Sequence, residues 1–145
     1  MDKEVKNANG TELTYEHTFT EAGNYKCLAK AQSATMETRD SLFICVAATP
    51  ENQPRPTGLQ DGITYYENDP TKVTLSLYYK DNNNKIAQNV FVIGDFNDWA
   101  YTTEYQMKKD GETGYFWLDI TGLEPGKEYV FQYAIKRPDG SIVQI

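Results

Sequence analysis

The chain has 145 residues, a net charge of −7 and 39% hydrophobic residues. This composition predicts a soluble globular protein of one ordinary domain or two small ones, and the negative charge argues against binding to a nucleic-acid backbone. No apolar run approaches the ~20 residues of a membrane-spanning helix, and the start MDKEVKNANG lacks the apolar core of a signal peptide.

Apolar and polar residues alternate along most of the chain, and turn sequences such as EAGN, DNNN and EPGK separate the alternating segments. A period of two without any helical period predicts strands, and short strands at regular spacing predict an all-β, immunoglobulin-like β-sandwich. The predicted strands cover residues 13–19, 25–31, 41–47, 72–79, 89–93, 115–120, 128–135 and 141–145.

Residues 1–48 form the first predicted unit, in which Tyr25 follows a glycine by two residues at the start of a strand. This spacing is that of the tyrosine corner in immunoglobulin-like sandwiches. The stretch 11–47 resembles the closing strands of a polycystic-kidney-disease-type (PKD) immunoglobulin-like module. The resemblance implies that residues 1–48 are the C-terminal part of such a module, truncated so that the chain begins inside a domain.

One face of the strand that begins at Tyr25 carries Cys27, Ala29 and Ala31, and we predict that this face points inward. Two cysteines are too few for a disulfide framework or a zinc site. We therefore interpret Cys27 and Cys45 as small core residues, and a single disulfide is the alternative.

The stretch ATPENQPRPTG interrupts the alternation and contains three of the six prolines. Proline fixes φ and lacks a backbone donor, so this stretch cannot be a central strand. We interpret residues 49–58 as a semi-rigid linker between two domains.

Residues 59–145 form the second predicted unit. The stretches DGITYYENDPTKVTLSLYY, VFVIGDFNDW and GYFWLDITGLEPGKEYVFQYAI, with Met107 between them and PDG after them, occur in the order found in early-set sandwich domains. They resemble the N-terminal modules of α-amylase-family (glycoside hydrolase family 13) enzymes, including family-48 carbohydrate-binding modules. The resemblance implies an early-set β-sandwich that packs against a catalytic barrel of the same polypeptide.

The turn GDFNDWA, residues 94–100, carries an aromatic residue on each side of an Asn-Asp pair. Alternation along the preceding strand keeps Phe96 on the core side with Val92. Asp and Asn side chains satisfy the amides of such turns, and Trp99 then arrives at the surface just past the turn. An alternative is that the indole caps the edge of the sandwich or packs on a neighbouring domain.

In the family, the tryptophan of this turn stacks on glucose units. The resemblance therefore implies a carbohydrate-binding site for starch or malto-oligosaccharide formed by Trp99, Asn97, Tyr101 and Gln132. The sequence departs from the family in two ways. No second aromatic follows the last turn, where residues 141–143 read Ser-Ile-Val, and Gln132 stands where a basic residue is common.

The strand YFWLDI places Phe116 on the core face, so that Tyr115 and Trp117 point to the opposite face. We predict that Trp117 is exposed and that Tyr115 and Trp117 form a domain interface. A glycan-binding surface and ordinary covering of the sheet face are the alternatives.

The sequence predicts no catalytic or metal-binding residues and no cofactor. His17 is the only histidine, and we interpret it as a solvent-facing strand residue. The 21 acidic residues are spread over turns and strand edges, whereas glycoside hydrolysis needs two carboxylates on opposite sides of one cleft. The loop at 81–89 is interpreted as a hairpin turn, because it lacks the Gly and Glu of a calcium loop.

We therefore predict a non-catalytic N-terminal fragment of an α-amylase-family glycoside hydrolase. Its expected partners are the catalytic barrel of the same polypeptide and a starch-like α-glucan, with neither nucleic acid nor insertion into a membrane. The resemblance implies an extracytoplasmic, secreted or surface-attached parent. Two alternatives remain: a glycan-binding module of a non-enzymatic surface lipoprotein, and a structural immunoglobulin-like spacer.

Overall fold

The computed structural model describes residues 14–145, and these form antiparallel sheets with only two single turns of 3-10 helix, at Asp95–Asn97 and Thr103–Tyr105. The all-β prediction is therefore confirmed. Within the described range, no helix is long and apolar enough to cross a membrane. The strands are β1 (Gly23–Gln32), β2 (Glu37–Val46), β3 (Gly62–Tyr65), β4 (Val73–Tyr78), β5 (Asn89–Gly94), β6 (Lys108–Lys109), β7 (Tyr115–Ile120), β8 (Phe131–Lys136) and β9 (Ile142–Gln144).

Seven of the predicted strands correspond to observed ones, and the exception is the first. Residues 14–19 form no strand, so the prediction for 13–19 is wrong over its described part, and Leu13 lies outside the described residues. His17 is exposed as expected but does not belong to a strand. Alternation did not predict β3 and β6, which have four and two residues and are too short for the pattern to be recognised.

Two sheets form the sandwich, one with the order β3-β4-β7-β6 and the other with the order β5-β8-β9. Alternating side chains from both sheets meet in one core, as the period of two requires. On β5, Val90 and Val92 are fully buried in this core, and Met107 is buried with them. The core cluster consists of Leu75, Ala87, Val90, Val92, Met107, Phe116, Leu118, Ile120 and Ile135.

The β1–β2 hairpin precedes the sandwich and pairs over ten residues on each strand. The Tyr25 hydroxyl donates to the Glu21 carbonyl at 2.9 Å, which is the hydrogen bond of a tyrosine corner. At the base of the hairpin, the Asn24 side chain donates to Glu104 at 2.9 Å and accepts from the Thr103 amide at 3.0 Å. These bonds attach the hairpin to the sandwich.

The prediction of an inward face on β1 is wrong for Cys27, Ala29 and Ala31, which are all exposed. The physical reason is that no second sheet among the described residues packs on this hairpin. Cys27 lies opposite Leu42 and Cys45 lies opposite Asn24, so the register keeps the thiols apart and both are free. The interpretation of Cys27 as a core residue is therefore wrong, and so is the alternative of a disulfide.

The proline-rich segment is hydrogen-bonded to the edge of the sandwich. The Lys109 amide donates to the Glu51 carbonyl at 2.8 Å, and the Gln53 amide donates to the Lys109 carbonyl at 2.9 Å. Asn52 thereby forms a parallel bridge with β6. A segment that contains prolines can pair in this way at the edge of a sheet, where not every backbone group needs a partner. The segment continues from this edge across the outer face of the first sheet.

Trp117 points to the outer face of that sheet, as predicted, but the prediction that it is exposed is wrong. Only 4% of Trp117 is accessible, and its indole nitrogen donates to the Gln53 carbonyl at 3.0 Å, so the proline-rich segment lies against the ring. The Lys108 ammonium lies 4.6 Å from the ring centroid, and the Arg55 guanidinium lies 4.3 Å from the Tyr115 ring. The segment around Gln53 and Arg55 thus occupies the surface that was predicted to be a domain interface.

Replacing Trp117 with phenylalanine is expected to lower the free energy of unfolding by about 1–2 kcal/mol, because the Gln53 carbonyl loses its donor and the smaller ring leaves a gap. Urea unfolding measures the change. The matched control is Tyr115→Phe, which removes only a long 3.4 Å contact with Asp61 and should change stability little. Equal stability of Trp117→Phe and the wild type would contradict the described contact.

A network of side chains crosses the outer face near the other end of β7. Asp119 accepts hydrogen bonds from Thr74 at 2.5 Å and from Lys72 at 2.8 Å. Thr74 in turn lies 2.7 Å from the Tyr66 hydroxyl, and the Lys72 ammonium lies 5.0 Å from the centroid of the Tyr66 ring. These contacts fix the ring of Tyr66 in place.

This network predicts part of the acid sensitivity of the fold. Burial would raise the pKa of Asp119, but hydrogen bonds from Lys72 and Thr74 outweigh burial and hold the pKa below its ordinary value. A depressed pKa contributes stability above the unfolded value of about 3.9, and this contribution disappears as the pH falls through the folded value. Lowering the pH from about 5 to 3 should therefore destabilise the wild type more than Asp119→Asn in urea titrations. If the wild type and Asp119→Asn lose the same free energy of unfolding between these pH values, Asp119 is not the group responsible.

Candidate functional site

The turn after β5 brings its backbone against β8 and then reverses the chain. The Asn97 side chain accepts from the Gly94 amide at 2.8 Å and donates to the Val92 carbonyl at 3.0 Å. Asp98 and Trp99 both have positive φ, at 53° and 57°, which is uncommon for residues with a side chain. The Trp99 amide donates to the Gly94 carbonyl at 3.0 Å and closes the turn.

Asp95 holds the indole of Trp99. One carboxylate oxygen accepts from the indole nitrogen at 3.0 Å, and the other accepts from the Val130 amide at 2.9 Å. The Val130 amide and the Trp99 indole keep the pKa of Asp95 below its ordinary value, since both stabilise the charged form. The indole is 39% exposed, so a ring fixed at its polar edge presents part of its surface to solvent.

Tyr101 lies on the outer face of the β5-β8-β9 sheet. Its ring meets Phe91 edge-on, with 5.9 Å between centroids, and its hydroxyl accepts from the Gln144 amide nitrogen at 3.0 Å. Tyr101 is 38% exposed while Phe91 beneath it is buried. The chain after the turn thus returns over this outer face.

Register places Gln132 on the same outer face. Gln132 pairs with Ile93, and its neighbour Ala134 pairs with both Phe91 and Gln144. Directly opposed residues of antiparallel strands share a face, so Gln132 and Gln144 project on the side where Tyr101 lies. We call Trp99, Tyr101, Gln132, Ile142 and Gln144 the platform.

Three of the four predicted binding residues, Trp99, Tyr101 and Gln132, are at the surface. Asn97 is half-buried, and both ends of its amide are engaged with backbone groups. The structure therefore gives Asn97 the capping role that the turn chemistry predicted, and a direct role with a ligand has no support in this geometry.

Two features of this region were not predicted: Gln144 as a surface residue, and Asp95 as the hydrogen-bond partner of the indole. Gln144 could have been found from parity, since Val143 packs on the core and its neighbours must point outward. Ile142 is 62% exposed and lies on the platform side, so an aliphatic side chain follows the last turn, where the resemblance implied a second aromatic.

Among residues 14–145, no cluster of three His, Cys, Asp or Glu side chains could hold a metal ion. The loop after Lys80 is a hairpin turn, as predicted, in which the Asp81 carboxylate accepts from the Asn83 and Lys85 amides at 2.8 Å. One oxygen of this carboxylate is therefore used within the turn.

The fold and the site together define a β-sandwich module with a partly aromatic surface on one sheet. Residues 62–145 match the family model for carbohydrate-binding module 48, described as the isoamylase N-terminal domain. Since this match covers more than half of the chain, the chain belongs to carbohydrate-binding module family 48, whose modules are non-catalytic. The predicted immunoglobulin-like β-sandwich is confirmed.

Among curated proteins, the chain is similar to 1,4-alpha-glucan branching enzymes. The enzyme of Clostridium perfringens (strain SM101) is 47% identical over 45 residues, which are 31% of this chain and 7% of the relative. The enzyme of Synechococcus sp. (strain JA-3-3Ab) is 43% identical over 58 residues, which are 40% of this chain and 7% of the relative. The aligned part is thus a small fraction of these relatives' length.

Proposed function

We propose that this chain binds α-glucan through the platform. The observation that carries the proposal is the indole of Trp99, which is 39% exposed and fixed by Asp95 beside Tyr101. A glucose ring has an apolar face of C–H groups, and an aromatic plane covers such a face with little loss of side-chain freedom. Gln132 and Gln144 supply amide donors and acceptors for the hydroxyl groups at the ring edge.

The class of sugar follows from the relatives. They are named as enzymes that branch 1,4-alpha-glucan, and the family includes the N-terminal domain of isoamylase. Asp95 and Lys136 border the platform, one of each sign, so that its surroundings have no excess of either charge, which suits a neutral polysaccharide. These points support a starch-like or glycogen-like chain as the ligand.

The whole protein is proposed to be an α-amylase-family glycoside hydrolase or transferase in which this module precedes the catalytic barrel. Similarity to the N-terminal domain of isoamylase and to branching enzymes supports that arrangement. The module would position the barrel on the polymer or pack against it. The PKD-type origin of residues 1–48 and the extracytoplasmic location of the parent remain predictions.

Affinity electrophoresis tests glucan binding directly. In native gels that contain amylopectin, the chain should migrate more slowly than in gels without it, relative to a reference protein that does not bind sugar. Gels with dextran, whose glucose units are linked differently, are the matched control for gel viscosity. Equal relative mobility in amylopectin and in sugar-free gels would contradict the proposal.

A structural role is the second candidate, and Ile142 is the observation that favours it. With an aliphatic residue at the second aromatic position and Gln132 in place of a basic residue, the platform has fewer ligand-binding groups than the family pattern. A purely structural module would show no retardation in amylopectin. The same electrophoresis therefore separates the two candidates.

A further inference from the structure

A cleft lies on the opposite side of the GDFN turn from the platform. Its volume is about 550 Å³, and it lies between the two sheets, on the side of β3. Pockets of this size are typical of small-ligand sites. Its lining comes from β3, β4, the end of β7, the turn at Phe96, the start of β8, and the loops at 65–72 and 123–129.

The floor of this cleft is apolar and its walls are tyrosines. Leu75 and Ile120 of the core cluster form part of the floor, and Phe96 lies beside them. Tyr65 and Tyr129 stand at the walls, and Tyr65 is 74% exposed. The Tyr65 ring does not fold down over the apolar floor, so the cleft stays open to solvent beside it.

Two of the tyrosines that line the cleft, Tyr129 and Tyr66, are held in place before any ligand binds. The Tyr129 hydroxyl accepts from the Glu124 amide at 2.9 Å, which fixes the loop that carries it. The network of Asp119 and Thr74 described above holds Tyr66 on the other side. Side chains that are already fixed lose less entropy when a ligand binds.

The charged side chains at the rim of the cleft indicate which class of ligand it can bind. Both lysines of the lining are neutralised by carboxylates, since Lys72 lies 2.8 Å from Asp119 and Lys127 lies 2.9 Å from Glu124. Glu67 and Glu128 line the cleft and have no ion pair with any described residue. The rim is therefore acidic and rich in acceptors, which disfavours anions and suits a neutral ligand with many hydroxyl donors.

We propose that this cleft is a second saccharide site, which takes a short neutral α-glucan segment against Tyr65 and Tyr129. Aromatic walls cover the C–H faces of glucose, and the Glu67 and Glu128 carboxylates accept hydrogen bonds from its hydroxyls. The proposal depends on the proposed function for its class of ligand, but it shares no residue with the platform. The GDFN turn separates the two sites, so one polymer chain could contact both.

Amide chemical shifts during a titration with maltotriose test the proposal on the intact chain. The amides of Glu67 and Gly126 report on the cleft, and those of Ala100 and Gln132 report on the platform. Saturable shifts in both sets are expected. Tyr65→Ala should weaken binding at the cleft at least tenfold and leave the platform shifts unchanged, whereas Trp99→Ala should do the reverse.

The matched control is Tyr78→Ala, because Tyr78 is 51% exposed but lies outside both sites, and it should change neither set. Platform shifts without cleft shifts would overturn this inference and leave the proposed function intact. Cleft shifts without platform shifts would support the inference and contradict the platform. Cleft shifts that persist unchanged in Tyr65→Ala would also overturn the inference.

Discussion

Replacing Trp99 with alanine is expected to abolish the retardation of the chain in amylopectin gels and to weaken maltoheptaose binding at least about tenfold. The indole is the largest exposed aromatic surface of the platform, and its ring is fixed by a 3.0 Å hydrogen bond to Asp95. A tenfold loss corresponds to about 1.4 kcal/mol, which is in the range of one aromatic contact.

The variant should remain folded, because Trp99 lies on the surface and contributes nothing to the core cluster. Tyr78→Ala removes an exposed ring of the other sheet and should bind like the wild type. If Trp99→Ala is retarded as strongly as Tyr78→Ala, the platform is not the site of binding.

Replacing Gly94 with alanine is expected to lower the free energy of unfolding by about 3 kcal/mol, the upper part of the range for overpacking. The reason is a close approach, not the backbone angle, since φ at Gly94 is 179° and any residue can adopt it. An added Cβ would lie 2.5 Å from the Val130 carbonyl oxygen and 2.7 Å from the Phe131 Cβ. Both are far inside normal contact, and β5 and β8 would have to separate.

Gly58→Ala provides the matched control, because an added Cβ at Gly58 would meet nothing within 4 Å. Its φ of +86° alone costs about 1–2 kcal/mol for a residue with a side chain. Urea unfolding should therefore rank Gly94→Ala as the less stable variant. An equal or smaller loss for Gly94→Ala would show that the β5–β8 approach tolerates a methyl group and would contradict the packing described at the turn.

Alternation in the sequence was sufficient to predict most of the sandwich. On β5, the parity of Val90 and Val92 correctly identified the core face, and on β7 the parity of Phe116 did the same. The turn chemistry of GDFN was also predictable, because Asn97 caps the turn with its own side chain. These features depend on residues that are close together in the sequence, so they can be recognised without the structure.

Long-range covering could not be predicted in the same way. Parity showed that Trp117 leaves the core, but it could not show that the carbonyl of Gln53, far away in sequence, would cover the indole. For β1, parity identified a face that includes Cys27, but it could not show that this face would have no partner among the described residues. The bond between Tyr101 and Gln144 likewise joins two distant segments.

The most direct test of the account uses the two tryptophans as reporters. Trp117 is buried at 4% exposure and Trp99 is 39% exposed, so a Trp117→Phe variant contains a single indole, at the platform. We predict that maltoheptaose changes the fluorescence of this variant saturably and leaves that of Trp99→Phe unchanged. Fluorescence of the Trp117→Phe variant that stays constant at saturating maltoheptaose would contradict a glucan site at Trp99.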